Sequence, residues 1–391
     1  MAAVGIACGI GLSSLGDDVK TALTSPENTL TSKHGLIVDR AVLVGEYHGS
    51  LHNCELPPTM QAIDSRNLRL ALTALEKIRT DIDSHVTCID KSRLAVIVGT
   101  STSGIADNEP ILKQYFEHKN IAVSYKKQEM GCLARGLQSY LGWTGIAYTV
   151  STACSSSGKA FASGQRLIEA GLADAVLVGG VDTLCQLTLN GFNSLESLSK
   201  QQCQPCGQYR DGINIGEAAS LFLLTKETMP IMLMGHGESM DAWHISAPHP
   251  EGLGAQDAMN NALNYAGITA SYIDYLNLHG TATPQNDAME IHAVREVFGK
   301  HNVPLSSTKH KTGHCLGAAS ALEAYICYRV LLEQSWLPLH QSGEIDALLQ
   351  DQNYVRDYTV SQPIHYVMSN SFAFGGSNVS LIFGVSQSCK Q

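Results

Sequence analysis

Cys154 lies in a sequence context that favours nucleophilic chemistry. The surrounding segment, residues 151–158, is Ser-Thr-Ala-Cys-Ser-Ser-Ser-Gly, and it joins a predicted strand to a predicted helix. At a helix start the backbone N–H groups lack internal partners, and the positive end of the helix dipole stabilises a thiolate. We therefore expect the thiol pKa of Cys154 to lie below its ordinary value of about 8.5, which suits covalent acyl transfer. For most of the other cysteines we favour a buried structural role.

Two histidines occupy comparable turns in the second half of the chain. His279 follows a predicted strand in Asn-Leu-His-Gly-Thr-Ala-Thr-Pro, residues 277–284. His314 ends the segment Ser-Thr-Lys-His-Lys-Thr-Gly-His, residues 307–314, just before a predicted helix. Because the carboxyl ends of strands line the ligand crevice of an α/β fold, these imidazoles and Cys154 can converge. One histidine among 15 is more often structural, but the three positions together favour a functional site.

A glycine-rich turn precedes the last predicted strand. Residues 372–378 are Phe-Ala-Phe-Gly-Gly-Ser-Asn. Consecutive glycines allow positive φ and expose backbone N–H groups, which can bind an oxyanion. Taken alone, such a turn is usually only a turn.

The composition limits the class of protein that these residues serve. The 391-residue chain has a formal net charge of −10 and 16% charged residues, against about 25% in an average protein. An acidic chain is a poor general nucleic-acid binder, and the low charge fraction indicates surface buried in an oligomer. No apolar run reaches the length of about 18 residues that spans a membrane. The first basic residue, Lys20, comes too late for a secretory signal, and 11 scattered cysteines fit a reducing compartment, so we expect a cytoplasmic protein.

Alternating strands and helices predict a buried, mostly parallel sheet. In the first half the strands are predicted at 94–99, 146–150 and 175–180, with a helix at 155–171. The second half repeats this build, with strands at 231–235, 275–278 and 379–383 and helices at 255–267 and 316–333. A boundary near 228–230 divides the chain into similar halves, 1–229 and 230–391. We interpret residues 101–142 as an inserted, mostly helical cap.

In their order and spacing the four segments resemble those of the elongating β-ketoacyl-acyl-carrier-protein synthases, the condensing enzymes of the thiolase superfamily. The resemblance runs from the opening strand Val-Gly-Ile-Ala-Cys-Gly-Ile-Gly-Leu, residues 4–12, to the last strand. It implies an α/β protein with the five-layered αβαβα thiolase-like fold, built from two homologous halves and usually dimeric.

The resemblance also implies the role of each residue in the site. Cys154 matches the nucleophile that takes the acyl chain as a thioester. His279 and His314 match the pair that assists decarboxylation of the malonyl unit. Lys309 matches a lysine that supports the histidines, and Glu290 matches its carboxylate partner.

Further positions match the substrate-binding parts of the family. The backbone N–H groups of Cys154 and Phe374 match the oxyanion hole, and the Phe374 side chain matches the aromatic gate of the malonyl pocket. Contacts to the pantetheine arm are implied for Thr281, Thr283 and Ser246. Residues that shape the acyl pocket are implied at Phe192 and Ile105.

The docking site for the acidic acyl carrier protein is less well defined. Glu196 stands where these enzymes often carry a basic residue. Arg66 and Arg69 are the expected carrier contacts, with Lys200 as a weaker one, and a solvated helix face is the alternative interpretation. Lys159 either lowers the pKa of Cys154 or points to solvent.

The implied reaction is a decarboxylative Claisen condensation. An acyl chain on Cys154 is joined to the carbanion of malonyl-acyl carrier protein, giving CO2 and a β-ketoacyl chain two carbons longer, in fatty acid or polyene-type polyketide synthesis. The substrates are carried on the phosphopantetheine of acyl carrier protein, and no other cofactor is expected. We expect no metal either, because Cys203 and Cys206 resemble half a zinc site without a second ligand pair. The implied assembly is a homodimer, or a heterodimer with a homologous ketosynthase or chain-length factor.

Three alternatives stay open. The chain could act only as a heterodimer with a chain-length factor, or it could itself be a non-catalytic chain-length factor. The latter proteins typically lack the nucleophile, whereas Cys154 is present here. A degradative thiolase would need a second catalytic cysteine in the C-terminal glycine-rich block, where this chain has Phe374 and Ser377.

Overall fold

The computed structural model describes residues 3–38, 40–119 and 121–386. In the first half the strands are β1 (Val4–Leu12), β2 (Thr31–Lys33), β3 (Val42–Gly45), β4 (Leu94–Gly99), β5 (Ala147–Val150), β6 (Ala175–Asp182), β7 (Ile215–Gly216) and β8 (Ala218–Thr225). Its helices are α1 (Val19–Thr24), α2 (Arg66–Lys77), α3 (Arg79–Val86), α4 (Ile105–Phe116), α5 (Cys132–Leu141), α6 (Ser156–Glu169) and α7 (Gln186–Ser194).

The second half has fewer elements among the described residues. Its strands are β9 (Ile231–Met240), β10 (Tyr275–Asn277), β11 (Leu305–Ser306), β12 (Tyr366–Phe372) and β13 (Ser377–Val385). Its helices are α8 (Leu253–Ala266), α9 (Pro284–Phe298), α10 (Lys309–Thr312) and α11 (Ala319–Glu333).

The same five-strand pattern occurs twice. The order β5-β4-β6-β8-β1 in the first half repeats as β11-β10-β12-β13-β9 in the second. In each set the first three strands are parallel to one another, and each of the last two strands is antiparallel to the strand before it in this order. The sets join into one 10-stranded sheet where Val4 and Gly5 pair with Leu233 and Met232. A separate small sheet has the order β2-β3-β7.

Helices α6 and α11 form the middle layer between the two five-stranded sets, because each contacts strands of both halves. Phe161 of α6 packs edge-on against Phe222 at 5.0 Å and against Phe383 at 6.0 Å, which joins the halves in one core. The outer layers are α2, α3 and α5 over the first half and α8 and α9 over the second. This is the predicted five-layered αβαβα, thiolase-like fold.

The local sequence explains why these elements form. Strands β4, β6 and β8 are buried along their whole length and are mostly apolar, as expected of strands covered on both faces. Helix α2 is capped by Ser65, whose side chain accepts from Leu68 N, and it buries Leu68, Leu72 and Leu75 along one face. Among the described residues, no helix has both the length and the apolar character needed to cross a membrane.

The predicted cap at 101–142 divides between two environments. Leu133 and Leu137 of α5 belong to the outer core of the first half, so this helix is part of the outer layer. Helix α4 instead packs against α7.

Candidate active site

Cys154 is held at the turn that starts α6. The preceding residue, Ala153, has a φ of 53°, a left-handed conformation that costs energy for a residue other than glycine. Ser156 holds this turn, because its hydroxyl donates to Ala153 O at 2.5 Å and accepts from Thr152 N at 2.8 Å. The Cys154 side chain is buried, and its Sγ lies 2.8 Å from Nε2 of His314.

The two histidines approach the cysteine from the second half of the molecule. His279 follows β10, and His314 follows the short helix α10. The two rings meet edge to face with their centroids 5.4 Å apart, and each residue is at most 2% exposed. One side-chain atom from each of Cys154, His279 and His314 lies within 4.8 Å of the other two. The structure therefore brings together the three residues that the sequence singled out.

Burial sets the protonation of this group. Desolvation raises the pKa of Cys154 to about 12, although Lys309 and the N–H groups of Phe374 and Cys154 act in the opposite direction. The expectation of a lowered thiol pKa is wrong, because loss of water on burial outweighs the Lys309 charge and the two N–H groups. Desolvation, with the nearby Lys309 charge, holds the pKa of His279 and of His314 well below the ordinary imidazole value. The resting site thus contains a thiol and two neutral imidazoles.

The structure pairs Lys309 with Glu323 and not with Glu290. The Lys309 ammonium forms a buried ion pair with the Glu323 carboxylate and donates to His279 O at 2.5 Å. Glu290 instead accepts from the backbone N–H groups of His279 and Gly280, at 2.8 and 2.7 Å. The predicted Lys309–Glu290 pair is therefore wrong, because α11 brings Glu323 to the lysine while α9 directs Glu290 to the end of β10.

Glu323 is the functional candidate that the sequence analysis missed. It is 2% exposed, and burial raises its pKa to about 7 although Lys309 lowers it. The sequence does contain a pattern that indicates this residue. Glu323 is the one charged residue in the segment Ala-Ser-Ala-Leu-Glu-Ala-Tyr-Ile-Cys-Tyr, residues 319–328. A lone carboxylate in an apolar helix requires a buried partner.

The glycine-rich turn lies against Cys154. The backbone N–H groups of Phe374 and Cys154 are both directed at the cysteine sulfur. Gly375 and Gly376 have φ values of 83° and 81°, and a Cβ at Gly376 would come within 2.1 Å of Asp241 O, so this turn requires glycine. Such paired donors can stabilise a negatively charged oxygen next to the sulfur.

Two adjoining spaces lie at the site of Cys154. A small inner cavity contains Cys154 and both histidines, and it is lined further by Phe192, Ser197, Ile213, Thr281, Thr283, Asn286, Phe372 and Phe374. An outer space, which we call the vestibule, shares Ser197, Thr283, Asn286 and Phe374 with the cavity. Ser246 lies on the vestibule wall, and Thr281 and Thr283 are joined by a hydroxyl hydrogen bond of 3.1 Å.

The two predicted acyl-pocket residues lie in different places. Phe192 lines the inner cavity, and its ring centroid is 5.8 Å from that of Phe374. Ile105 lines a separate open groove with Leu112 and Leu187. The structure therefore does not place Ile105 at the cavity around Cys154, because it begins α4, which packs against α7.

The two predicted docking arginines are bound within the molecule. Arg66 pairs with the fully buried Glu217 at 2.5 Å, and Arg69 pairs with Asp64 at 2.7 Å. Each arginine therefore already has a carboxylate partner in the same chain, and its role in carrier docking stays a prediction. Lys159 pairs with Glu238 at 3.6 Å.

The other cysteine motif has a structural environment. Cys203 Sγ donates to Lys309 O at 3.3 Å, and Cys206 N donates to Asp287 Oδ2 at 2.7 Å. Among the described residues, Cys154, His279 and His314 are the group whose geometry could hold a metal ion. Paired N–H donors beside the sulfur favour an anion there and not a cation.

Comparison with known proteins agrees with this geometry. The β-ketoacyl synthase N-terminal domain matches residues 56–229, and the β-ketoacyl synthase C-terminal domain matches residues 232–342. The 3-oxoacyl-[acyl-carrier-protein] synthase 2 of Staphylococcus aureus is 28% identical over 399 residues, which cover 95% of each chain. Nodulation protein E of Rhizobium meliloti is 36% identical over 254 residues, 62% of this chain and 63% of that protein.

Solved structures give the same result. A chain in the complex of the ketosynthase ApeO with its chain length factor ApeC, from Xenorhabdus doucetiae, is 43% identical. It superposes with a TM-score of 0.93 over 98% of both chains. A β-ketoacyl synthase from Burkholderia phymatum is 26% identical, with a TM-score of 0.88 over 99% of this chain and 100% of that one. The chain belongs to the β-ketoacyl synthase family and is an elongating β-ketoacyl-acyl-carrier-protein synthase, a condensing enzyme.

Proposed function

We propose that Cys154 carries the growing acyl chain and that His279 and His314 act on the malonyl unit that extends it. The observation that carries this proposal is the convergence of the three side chains in one buried cavity, with Cys154 Sγ 2.8 Å from His314 Nε2. Neither half of the molecule contains the whole group, so the site depends on the complete fold.

The first half-reaction loads Cys154. The thiol proton passes to His314 Nε2 as Sγ attacks the carbonyl of the acyl thioester, and the N–H groups of Cys154 and Phe374 stabilise the oxyanion. Collapse of this intermediate breaks the bond to the carrier's pantetheine sulfur, which leaves with the proton from His314. Because the pKa of Cys154 is raised by burial, proton transfer accompanies the attack and no resting thiolate is needed.

The second half-reaction forms the carbon–carbon bond. Loss of CO2 from the malonyl thioester leaves an enolate, whose oxygen accepts hydrogen bonds from neutral imidazole N–H groups of His279 and His314. The enolate carbon attacks the acyl carbonyl on Cys154, and the cysteine sulfur leaves as a thiolate as the β-ketoacyl product forms; a proton taken up from solvent then restores the thiol. Lys309 and Glu290 hold the backbone of His279 from two sides, so we assign both a positioning role.

We assign the path of the substrate arm to the vestibule and the adjoining inner cavity. A phosphopantetheine arm that enters through the vestibule passes Ser246, Thr281 and Thr283, whose hydroxyls can bind its amide groups. The Phe374 and Phe192 rings lie 5.8 Å apart in the lining of the cavity around Cys154, which supports Phe374 as the gate of the malonyl position and Phe192 as a boundary of the acyl chain. We assign no other cofactor.

The proposed assembly is a heterodimer with a chain-length factor in polyene-type polyketide synthesis. The 43% identity to a chain of the complex of the ketosynthase ApeO with its chain length factor ApeC supports the heterodimer. The intact Cys154, His279 and His314 indicate that this chain is the catalytic member. The ten cysteines in the described part of the chain are free, which supports a reducing, cytoplasmic location.

Two measurements test this function. Wild-type protein incubated with acyl-carrier protein should gain the mass of the acyl group, and Cys154→Ala should gain none. In His279→Ala and His314→Ala, release of CO2 from malonyl-carrier protein should fall by about a hundredfold or more. A stable acyl adduct on Cys154→Ala, or unchanged CO2 release in either histidine variant, would contradict the assigned roles.

A further inference from the structure

The vestibule that leads to Cys154 carries acidic side chains. Its lining includes Glu196 and Asp211, and none of the described residues that line it is a lysine or an arginine. Arg210, next to Asp211 in the chain, pairs with Asp346 at 2.6 Å. An acidic carrier protein gains nothing from charge at such an opening, because like charges that face each other repel.

Exposed apolar side chains occur on the two segments that supply Leu195 and Ser246 to the vestibule wall. Ile245 is 79% exposed and Trp243 is 56% exposed. Both belong to the segment that supplies Ser246 and Pro248 to the vestibule wall. Leu195, which lines the vestibule next to Glu196, is 53% exposed. Large apolar side chains grouped around one opening are typical of an interaction surface, whereas single exposed ones are common on any protein.

This apolar segment is fixed to the turn that carries Phe374. Gly375 N donates to Ile245 O at 2.8 Å, and Asp241 N donates to Gly376 O at 2.8 Å. The Trp243 ring packs against His249 at 4.7 Å. The backbone of this segment is therefore held against the turn, so a partner can bind its side chains without first ordering the segment.

We propose that Trp243, Ile245 and Leu195 form an apolar docking surface for the acyl carrier protein, and that this contact replaces charge pairing at the vestibule. The partner is an acidic carrier protein that presents an apolar face beside its phosphopantetheine. The inference rests on the proposed function, which assigns the carrier as the acyl donor. It differs from the expected basic docking patch, whose arginines each pair with a carboxylate of the same chain.

The test compares two acyl donors. Acyl groups are offered on carrier protein and, separately, on pantetheine alone, to the protein purified with any partner subunit it retains. Transfer to Cys154 is followed by intact mass. Ile245→Asp should slow transfer from the carrier about tenfold and leave transfer from acyl-pantetheine unchanged. The matched control is Leu348→Asp, since Leu348 is also 79% exposed and lies by Arg295 near the end of α9. This control should change neither rate.

Salt and a charge variant complete the test. Raising NaCl from about 0.05 to about 0.5 M should leave transfer from the carrier unchanged or faster, because salt screens charge contacts and not apolar ones. Lys200→Ala should change the rate by less than about twofold. A steep fall with salt, or a greater loss in Lys200→Ala than in Ile245→Asp, overturns the proposal in favour of charge docking.

Two further outcomes also overturn it. If Ile245→Asp slows transfer from acyl-pantetheine as much as from the carrier, the segment shapes the site and does not dock the carrier. If Ile245→Asp changes the mass of the native assembly, the apolar surface binds a subunit instead. Failure of the wild-type protein to accept acyl groups from either donor would contradict the proposed function and not the docking surface alone.

Discussion

At the scale of single residues, desolvation sets the chemistry of the site. The same burial raises the pKa of the Cys154 thiol and lowers the pKa of His279 and His314, because each charged form loses its water. All three groups are therefore neutral at rest. Negative charge develops only at the oxyanion and the enolate, where N–H donors are already in place.

Alkylation of Cys154 by iodoacetamide tests this charge state. The thiolate is the reactive form, and with a pKa of about 12 its fraction should rise about tenfold per pH unit from about pH 6.5 to pH 9. Mass spectrometry of the Cys154 peptide measures the rate, and the exposed Cys88 serves as reference within the same sample. A rate that levels off below about pH 8 would show a lowered thiol pKa and contradict the prediction.

The Lys309–Glu323 pair gives a second test at this scale. Glu323→Gln leaves the Lys309 ammonium buried without a carboxylate, so the free energy of unfolding should fall by about 3–5 kcal/mol. Release of CO2 should fall more than acylation of Cys154, because Lys309 contacts the backbone of His279.

Glu290→Gln is the matched control for this variant. It removes charge-assisted bonds from the N–H groups of His279 and Gly280 but leaves the Lys309–Glu323 pair intact, so the loss should be smaller, about 1.5–3 kcal/mol. Urea unfolding measures both variants. Equal losses, or a Glu323→Gln loss below about 1 kcal/mol, would argue against the pairing.

At the scale of elements, the contact of α6 with α11 and β13 positions the nucleophile. Gly158 lies in the first turn of α6, where a Cβ would come within 2.5 Å of Ser320 Oγ and 2.6 Å of Val379 Cγ1. The start of α6, and with it Cys154, can approach the second half this closely only because residue 158 has no side chain. Asp182 also connects the two halves, since its carboxylate accepts from Thr102 N in the first half and from Ala318 N in the second.

Gly158→Ala should therefore overpack this contact. The expected destabilisation is about 1–3 kcal/mol, measured as a lower midpoint of thermal unfolding. Gly191→Ala is the control, because α7 leaves open space at that position, and it should be neutral or stabilising by up to about 1 kcal/mol. Similar midpoints of thermal unfolding for the two variants would mean that the structure accommodates a Cβ at residue 158 without destabilisation, and would contradict the prediction.

At the scale of the whole molecule, the site is built by both halves, and the surface predicts a partner subunit. Strand β5 ends the 10-stranded sheet, and Ile146 and Tyr148 beside and within it are each 39% exposed. An open sheet edge with apolar side chains favours pairing with another chain. The low fraction of charged residues, 16%, agrees with a large buried interface.

Co-purification tests the assembly. Expressed with its genomic neighbours, the chain should elute as a dimer with a homologue that lacks the nucleophilic cysteine, and native mass spectrometry gives the stoichiometry. A homodimer would group the protein with synthases that act without a chain-length factor, and a monomer would contradict the predicted subunit interface.

The sequence by itself determined the elements and the reactive residues. Continuous apolar strands, helical periodicity and glycine turns are local patterns, so β4, β6, α6 and α11 were predicted within a few residues of their observed bounds. Cys154, His279 and His314 were found because each lies in a turn whose residue types are informative alone.

The tertiary structure determined the properties that depend on distances between side chains and on the loss of water on burial. It paired Lys309 with Glu323, paired Arg66 and Arg69 with carboxylates of the same chain, separated Ile105 from the inner cavity and raised the thiol pKa of Cys154. These properties belong to residues far apart in the chain, and the free energy of a charge depends on which neighbours replace its water. A local sequence pattern specifies which group is present, and only the packed fold specifies what faces it.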